Sequence, residues 1–339
     1  MKKLTRILSI DGGGIRGIIP GQILVSLEKK LQIIDNNPNG KLSDYFDLVA
    51  GTSTGGILAC IYLLPDKNNN PMFSAQDAVN LYLQKGNKIF NRTLWQKIKN
   101  FGNILDEKYN RKELEKSLDE YMKNTKLSEL LKPTLITAYD VKNRKGHFFK
   151  SHKAKNHSSY NFTVKDVARS TSAAPTYFEL AEIESMNGTK YPLIDGGVFV
   201  NNPSLCAYAE ARNVIFDEYR IKPTANDMVI LSLGTGNKDE SYNYDDVKGW
   251  GVVQWLSPLI SIMMDGVSQT VDYQLRKIFE SINKQNQYVR ISPKLVHSDE
   301  KMDNATKENL LALKLDGELN AKEYDNILTD FAKILINNK

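Results

Sequence analysis

Short apolar runs alternate along the chain with longer amphipathic stretches. The short runs have the length and hydrophobicity of buried strands. They lie at residues 4–10, 47–50, 133–139, 146–149, 191–194 and 228–233. Helical spacing of apolar residues, about 3.6 positions apart, predicts helices between and after them. These cover residues 18–34, 57–64, 74–90, 111–122, 164–173, 203–219, 304–319 and 323–336.

Alternation of strands and helices favours a parallel sheet covered by helices on both faces, and therefore an α/β fold. The chain contains no internal repeat and no linker rich in proline, glycine or serine. We therefore expect a single domain over residues 1–339, with its core at 4–240 and a C-terminal helical extension at 250–336.

Composition excludes several classes of protein. Of the 339 residues, 41% are apolar and 25% are charged, which argues against a disordered, collagen-like or coiled-coil chain. The net charge of +5 is mild, and no dense basic run with interleaved aromatic residues occurs, so no nucleic-acid partner is expected. Oligomeric state cannot be read from such data.

Cysteine content and hydrophobic run length bear on location. Cys60 and Cys206 are too few for a disulfide framework or a zinc site, which favours a reducing compartment. No run approaches the ~18 apolar residues of a membrane-spanning helix. The apolar run at 7–10 is too short for a signal peptide. We expect a cytoplasmic protein with peripheral membrane association possible, and export without a classical signal stays open.

A glycine loop at residues 11–17 (DGGGIRG) follows the first strand and opens a helix. Such a loop directs backbone N–H groups at one point and suits a phosphate or a developing oxyanion. Gly12, Gly14 and Gly17 also satisfy the dinucleotide-binding pattern, but no second strand precedes the acidic Asp35, so that interpretation fails. A tight turn without chemistry is the remaining alternative.

Residues 51–55 (GTSTG) form a G-x-S-x-G motif between a predicted strand and a predicted helix. In that context the turn exposes the serine hydroxyl, and small neighbours such as Gly51 and Gly55 permit it. The motif predicts Ser53 as a nucleophile.

The candidate base for Ser53 is a carboxylate. His147, His152 and His157 lie in a polar stretch that predicts a surface role, and His297 lies in another polar segment. Asp195 ends a strand, and desolvation there would raise its pKa to a useful value. The alternative is an aspartate that only caps the turn at Gly196 and Gly197.

Residues 250–264 (WGVVQWLSPLISIMM) carry two tryptophans and no charge. They are too short to cross a bilayer. A buried helix or strand pair is one interpretation. The other is an apolar cover over the site that opens at a lipid surface.

Five segments together resemble the patatin-like phospholipase family, close to its plant branch. They are residues 11–17, 51–56 (GTSTGG), 172–178 (SAAPTYF), 195–203 (DGGVFVNNP) and 232–236 (SLGTG). The resemblance covers nearly the whole chain. It implies a three-layer α/β/α sandwich with a mostly parallel central sheet, and a lipid acyl hydrolase that needs no metal or other cofactor.

The resemblance also assigns roles by position. It implies Ser53 as nucleophile, Asp195 as base, and the N–H groups of Gly12, Gly13 and Gly14 as the oxyanion hole. Asp11, Arg16, Gly17, Gly51, Gly55, Gly196 and Gly197 match supporting motif positions. For Arg16, attraction of a lipid phosphate and pairing with a structural acid stay open.

The expected substrate is a lipid at a membrane or micelle surface, cleaved at a fatty-acyl ester bond by a phospholipase A-type or esterase reaction. Two alternatives stay open. One is a regulated membrane-damaging effector of bacterial defence or virulence. The other is a storage or binding protein with residual esterase activity.

Overall fold

A computed structural model of the protein describes residues 3–89, 111–218, 220–238 and 243–339. Its strands are β1 (Thr5–Ile10), β2 (Leu48–Thr52), β3 (Thr134–Asp140), β4 (Lys145–Lys150), β5 (Ala181–Glu184), β6 (Lys190–Asp195), β7 (Met228–Leu233) and β8 (Tyr288–Ile291). Its helices in the first half are α1 (Ile18–Ile34), α2 (Leu42–Tyr45), α3 (Thr54–Tyr62), α4 (Ala75–Ile89), α5 (Arg111–Met122), α6 (Ser151–Ala154) and α7 (Val164–Thr171). The later helices are α8 (Ser204–Ala211), α9 (Tyr244–Val247), α10 (Val252–Glu280), α11 (Lys307–Glu323) and α12 (Asp325–Asn337).

The strands form one mixed sheet in the order β5-β6-β3-β2-β1-β7-β8, with β4 also paired to β3. The central strands β3, β2, β1, β7 and β8 run parallel to one another. Strands β4 and β6 are antiparallel to β3, and β5 is antiparallel to β6. The predicted α/β class and mostly parallel sheet are confirmed.

The two faces of the sheet are buried by different helices. In β1, Leu8 and Ile10 belong to the core cluster that contains side chains of α1 and α3, whereas Ile7 belongs to a second cluster. That second cluster includes Ala207 of α8 and Phe279 of α10. Adjacent strand residues point to opposite faces, so this division is that of a three-layer sandwich.

All six predicted strands are present in the sheet, but two short strands escaped prediction. Strand β5 has only four residues and alternates buried and exposed positions, and β8 also has only four. Runs of this length carry little periodic signal.

Helix boundaries differ from the predictions, most of all in the helix predicted over 203–219. The helix predicted over 203–219 ends at Ala211, and Ile215 instead forms a β-bridge with Ile221. Tyr219 and Phe90, the last residues of two predicted helices, lie outside the described residues. The apolar stretch at 250–264 enters α10, which continues to Glu280.

The C-terminal helices α11 and α12 both pack on α1. This contact agrees with the single domain predicted from the sequence, which stays a prediction.

Strand register brings the predicted site segments together. Ile10 at the end of β1 pairs with Gly51 in β2, so the glycine loop and the G-x-S-x-G turn leave neighbouring parallel strands at the same edge. Thr52 pairs with Thr137 of β3, and Ala138, the next residue, pairs with Asp195. Two strand pairings therefore carry Asp195 to the turn that holds Ser53.

Candidate active site

Ser53 lies at the sharp turn between β2 and α3. Its backbone has φ 53° and ψ −122°, a conformation that non-glycine residues rarely adopt. The Ser53 N–H donates to Thr171 Oγ1 at 2.8 Å, which helps to hold the turn. Such strain needs support from its surroundings and is common at nucleophilic serines.

The glycines around this turn permit very close backbone contact. A Cβ on Gly55 would lie 2.1 Å from the Ile10 carbonyl oxygen, and one on Gly51 would lie 2.3 Å from the Gly55 carbonyl oxygen. Gly17 contacts Thr54 in the same way, since its Cβ would meet Thr54 Oγ1 at 2.1 Å. The serine turn and the glycine loop are therefore packed directly against each other.

Asp195 is a buried carboxylate that interacts with the Ser53 side chain. Its Oδ1 accepts the Gly197 N–H at 2.7 Å. Burial raises the pKa of Asp195 to about 7, although the interactions with Ser53 and with the Gly197 N–H act to lower it. Near neutral pH this carboxylate can accept a proton from the Ser53 hydroxyl.

The turn that follows Asp195 packs tightly against β3. A Cβ added at Gly196 would lie 2.1 Å from Thr137 Oγ1. Asp195 accepts the N–H of Gly197 in this turn, which is the hydrogen bond that the capping interpretation requires. It interacts with the Ser53 side chain as well, so the turn N–H is not its sole interaction.

The three N–H groups of the glycine loop differ in their partners. Gly12 donates to the Asn201 carbonyl at 3.1 Å. The N–H groups of Gly13 and Gly14 have no acceptor among the described residues. Gly14 has φ +60°, and a Cβ there would lie 2.2 Å from the Met302 carbonyl oxygen. Two of the three predicted oxyanion donors are thus available.

Asp11 and Arg16 hold the loop in place. Arg290 donates to both carboxylate oxygens of Asp11, at 2.9 and 2.6 Å. Arg16 Nη1 donates to the Gly236 carbonyl at 2.8 Å and Nε to the Gly13 carbonyl at 3.4 Å. The direct hydrogen bonds of Arg16 therefore go to main-chain carbonyls.

Ser53 and Asp195 open onto an apolar cavity of about 290 Å³. It lies between the sheet edge and helices α4 and α5. Its apolar lining consists of Ile15, Ile57, Leu81, Tyr82, Ile89, Leu114, Leu118, Tyr121, Met122, Ala174, Pro175, Tyr177, Phe178, Val198, Met263, Met264 and Met302.

None of the four histidines, all of which the structure describes, lines this cavity. The surface role predicted for His147 is wrong. It is half-buried in β4 against Phe149 and Tyr191, and burial lowers its pKa to about 4. His152 pairs with Glu210 at 2.9 Å, and His157 is exposed.

Four apolar side chains in the stretch at 250–264 are exposed. Trp255, Leu259, Ile262 and Met263 of α10 are 36%, 47%, 42% and 54% exposed. Their spacing places them on one face of the helix. Met263 also lines the cavity, so this apolar face borders the cavity directly.

Sequence reasoning missed three residues that support the site. Thr171 accepts the Ser53 N–H, Asn201 accepts the Gly12 N–H, and Arg290 pairs with Asp11. Asn201 stood within the motif at 195–203. Arg290 had no local signal, because 279 positions separate it from its partner.

The described residues lack two kinds of feature. They contain no group of three or more histidine, cysteine, aspartate or glutamate side chains arranged to hold a metal ion. Within the same residues, no helix has the length and hydrophobicity to cross a membrane.

Residues 8–207 match the family model described as patatin-like phospholipase. The chain is 38% identical over 337 residues to "Patatin-like protein 2" of Arabidopsis thaliana, covering 93% of this chain and 82% of that protein. It is 33% identical over 359 residues to "Probable inactive patatin-3-Kuras 1" of Solanum tuberosum, covering 99% and 94%. A solved structure, VipD from Legionella pneumophila, aligns at 12% identity and a TM-score of 0.39 over 97% of this chain and 67% of VipD. That structural similarity is too low to support any argument.

Proposed function

The chain belongs to the patatin-like phospholipase family, which indicates a lipid acyl hydrolase, and we propose that it cleaves fatty-acyl esters with Ser53 as nucleophile and Asp195 as base. One observation carries the proposal. The Ser53 side chain contacts a buried carboxylate on the wall of an apolar cavity.

In the first step, Ser53 Oγ attacks the ester carbonyl carbon while Asp195 takes the hydroxyl proton. A base whose pKa is about 7 suits this transfer at neutral pH. Asp195 then gives the proton to the departing alcohol oxygen, and the acyl group stays on Ser53.

The negative charge on the carbonyl oxygen is stabilised by the glycine loop. The N–H groups of Gly13 and Gly14 are the available donors, and the N-terminus of α3 adds its positive dipole end. One donor of this type is typically worth about 10²–10³ in rate. Gly12 contributes by holding the loop to Asn201.

The cavity lining supports a fatty-acyl chain as the bound group. Transfer of an apolar chain from water into such a cavity is favourable by roughly 0.8 kcal/mol per CH₂. The exposed apolar face of α10 borders this cavity and suits contact with the lipid surface that supplies the substrate.

The test measures hydrolysis by the purified protein on p-nitrophenyl esters of increasing chain length and on phospholipid vesicles, with and without EDTA. We expect hydrolysis of both, a preference for longer acyl chains, and no effect of EDTA, because the mechanism uses no metal. Ser53→Ala is the matched control.

Loss of activity in EDTA that Ca²⁺ restores would contradict the proposed chemistry. Activity only after a small-molecule activator is added would indicate a regulated effector. No activity on any ester would favour the storage or binding alternative.

A further inference from the structure

A second cavity, of about 260 Å³, lies beside the apolar one and is polar. Its lining includes Asn201, Asp265, Asp272 and Arg290. Met264 and Met302 line both cavities, so they form the boundary between them. Methionine is unbranched and adapts its shape readily.

Gly197, which lines the apolar cavity, lies close to residues of both cavities. A Cβ at Gly197 would lie 3.2 Å from Asp195 Oδ1, 3.6 Å from Asn201 Oδ1 and 3.5 Å from the Met264 methyl carbon. Because Gly197 has no side chain, the carboxylate of the apolar cavity and the amide oxygen of the polar cavity face the same small space.

Asn201 Oδ1 is a buried acceptor with no hydrogen-bond partner among the residues that the structure describes. The residue is only 6% exposed, and its Nδ2 already donates to Ser268 Oγ at 3.2 Å. Leaving a buried amide oxygen without a hydrogen bond is unfavourable, so such an atom is normally satisfied by a protein group or an ordered water. A water molecule arriving from the polar cavity would supply this hydrogen bond.

We infer that the polar cavity admits the water that hydrolyses the acyl-enzyme, and that Asn201 Oδ1 positions this water beside Asp195. The inference rests on the proposed function. During deacylation a fatty-acyl chain fills the apolar cavity, and the exposed apolar face of α10 that borders this cavity lies against the lipid surface. Water therefore needs a separate polar entrance.

The water donates one hydrogen bond to Asn201 Oδ1 and gives its other proton to Asp195, and its oxygen bonds to the acyl carbonyl carbon. The bond between that carbon and Ser53 Oγ then breaks. Asp195 returns the proton to Ser53 Oγ, which releases the fatty acid and restores the free enzyme. Asn201 acts as a positioning residue.

The experiment separates acylation from deacylation in Asn201→Leu. Stopped-flow release of p-nitrophenol gives the acylation rate. The deacylation rate is the rate at which Ser53 loses its acyl group. Intact-protein mass spectrometry measures this loss after rapid removal of excess ester. We expect deacylation to slow by about tenfold or more, as loss of one well-placed hydrogen bond implies, while acylation changes little.

Ser268→Ala is the matched reference, because it removes the bond from Asn201 Nδ2 and leaves Oδ1 in place. A deacylation rate that is tenfold lower in Asn201→Leu than in Ser268→Ala, at similar acylation rates, supports the inference. Equal deacylation rates in the two variants overturn it, as does an equal slowing of both steps in Asn201→Leu. If Asn201→Leu does not fold, Asn201→Ala removes the same oxygen without added volume, and the same two rates decide.

The wild-type protein distinguishes this inference from the proposed function. If it forms no acyl-Ser53 from the ester, the proposed function fails. If it acylates and deacylates normally while Asn201→Leu deacylates at the rate of Ser268→Ala, only the water entrance fails.

Discussion

Asp195 and Glu28 are two buried carboxylates with the same shifted acidity in different parts of the molecule. Burial raises the pKa of each to about 7. Glu28 lies in α1 and accepts the backbone N–H groups of Leu42 and Ala75, at 3.1 and 3.0 Å. It therefore joins α1 to the start of α2 and of α4.

The two sites differ in their partners. Asp195 accepts one backbone N–H and contacts a serine hydroxyl on the wall of the apolar cavity, whereas Glu28 accepts backbone donors and does not line that cavity. A raised pKa shows that a charge is poorly solvated. A nucleophile and a substrate-sized space beside the carboxylate are what indicate catalysis.

The largest expected effect is at Ser53. Ser53→Ala should lower ester hydrolysis by roughly 10⁴–10⁶-fold, because the covalent route is lost. The melting temperature should stay close to that of the wild type, since the side chain is small. Assay of the purified variant, with circular dichroism to check folding, measures both. Retention of most activity in a folded variant would show that another residue is the nucleophile.

Asp195→Asn compared with Glu28→Gln tests the two carboxylates directly. The first change removes the proposed base and should reduce kcat by about 10²–10⁴-fold. The second alters a carboxylate whose hydrogen bonds among the described residues come from backbone donors, so we expect kcat within about twofold of wild type. Equal losses of kcat in the two folded variants would remove the distinction between the sites.

The pH dependence of kcat/KM should report the same base. Asp195 has to be deprotonated to accept the proton of Ser53, and its pKa is about 7. We therefore expect kcat/KM to fall about tenfold for each pH unit below 7. The profile of Glu28→Gln should match that of wild type. A profile that is flat between pH 5 and 7 would contradict Asp195 as the base.

The smallest effect is on stability, and here both carboxylates should behave alike. Each has a folded-state pKa above its ordinary value, so each contributes stability below that ordinary value that is lost as the pH rises to about 7. The uncharged amide variants lack this loss. Between pH 5 and pH 8, Asp195→Asn and Glu28→Gln should therefore each gain stability relative to wild type, on the order of 2–3 kcal/mol.

Urea denaturation at the two pH values measures this gain. A free energy of unfolding that shifts in parallel with wild type in both variants would mean that neither carboxylate is strongly desolvated.

Much of the fold followed from local sequence signals. All six predicted strands are present because apolar runs bounded by glycine, proline and polar residues report burial directly. The positions of Ser53 and the glycine loop also followed from the sequence. Residues close in the chain help to set their conformations, since a side chain at Gly51 would collide with the Gly55 carbonyl oxygen.

The relation between distant segments was decided by the tertiary structure. Asp195 could have been only a turn cap, and two strand pairings through β3 bring it to Ser53. Arg290 joins Asp11 across 279 positions, and Asn201 reaches the glycine loop through its carbonyl. Local patterns reflect backbone preference and burial. Contacts between distant residues, and the desolvation that sets their pKa values, exist only once the sheet has assembled.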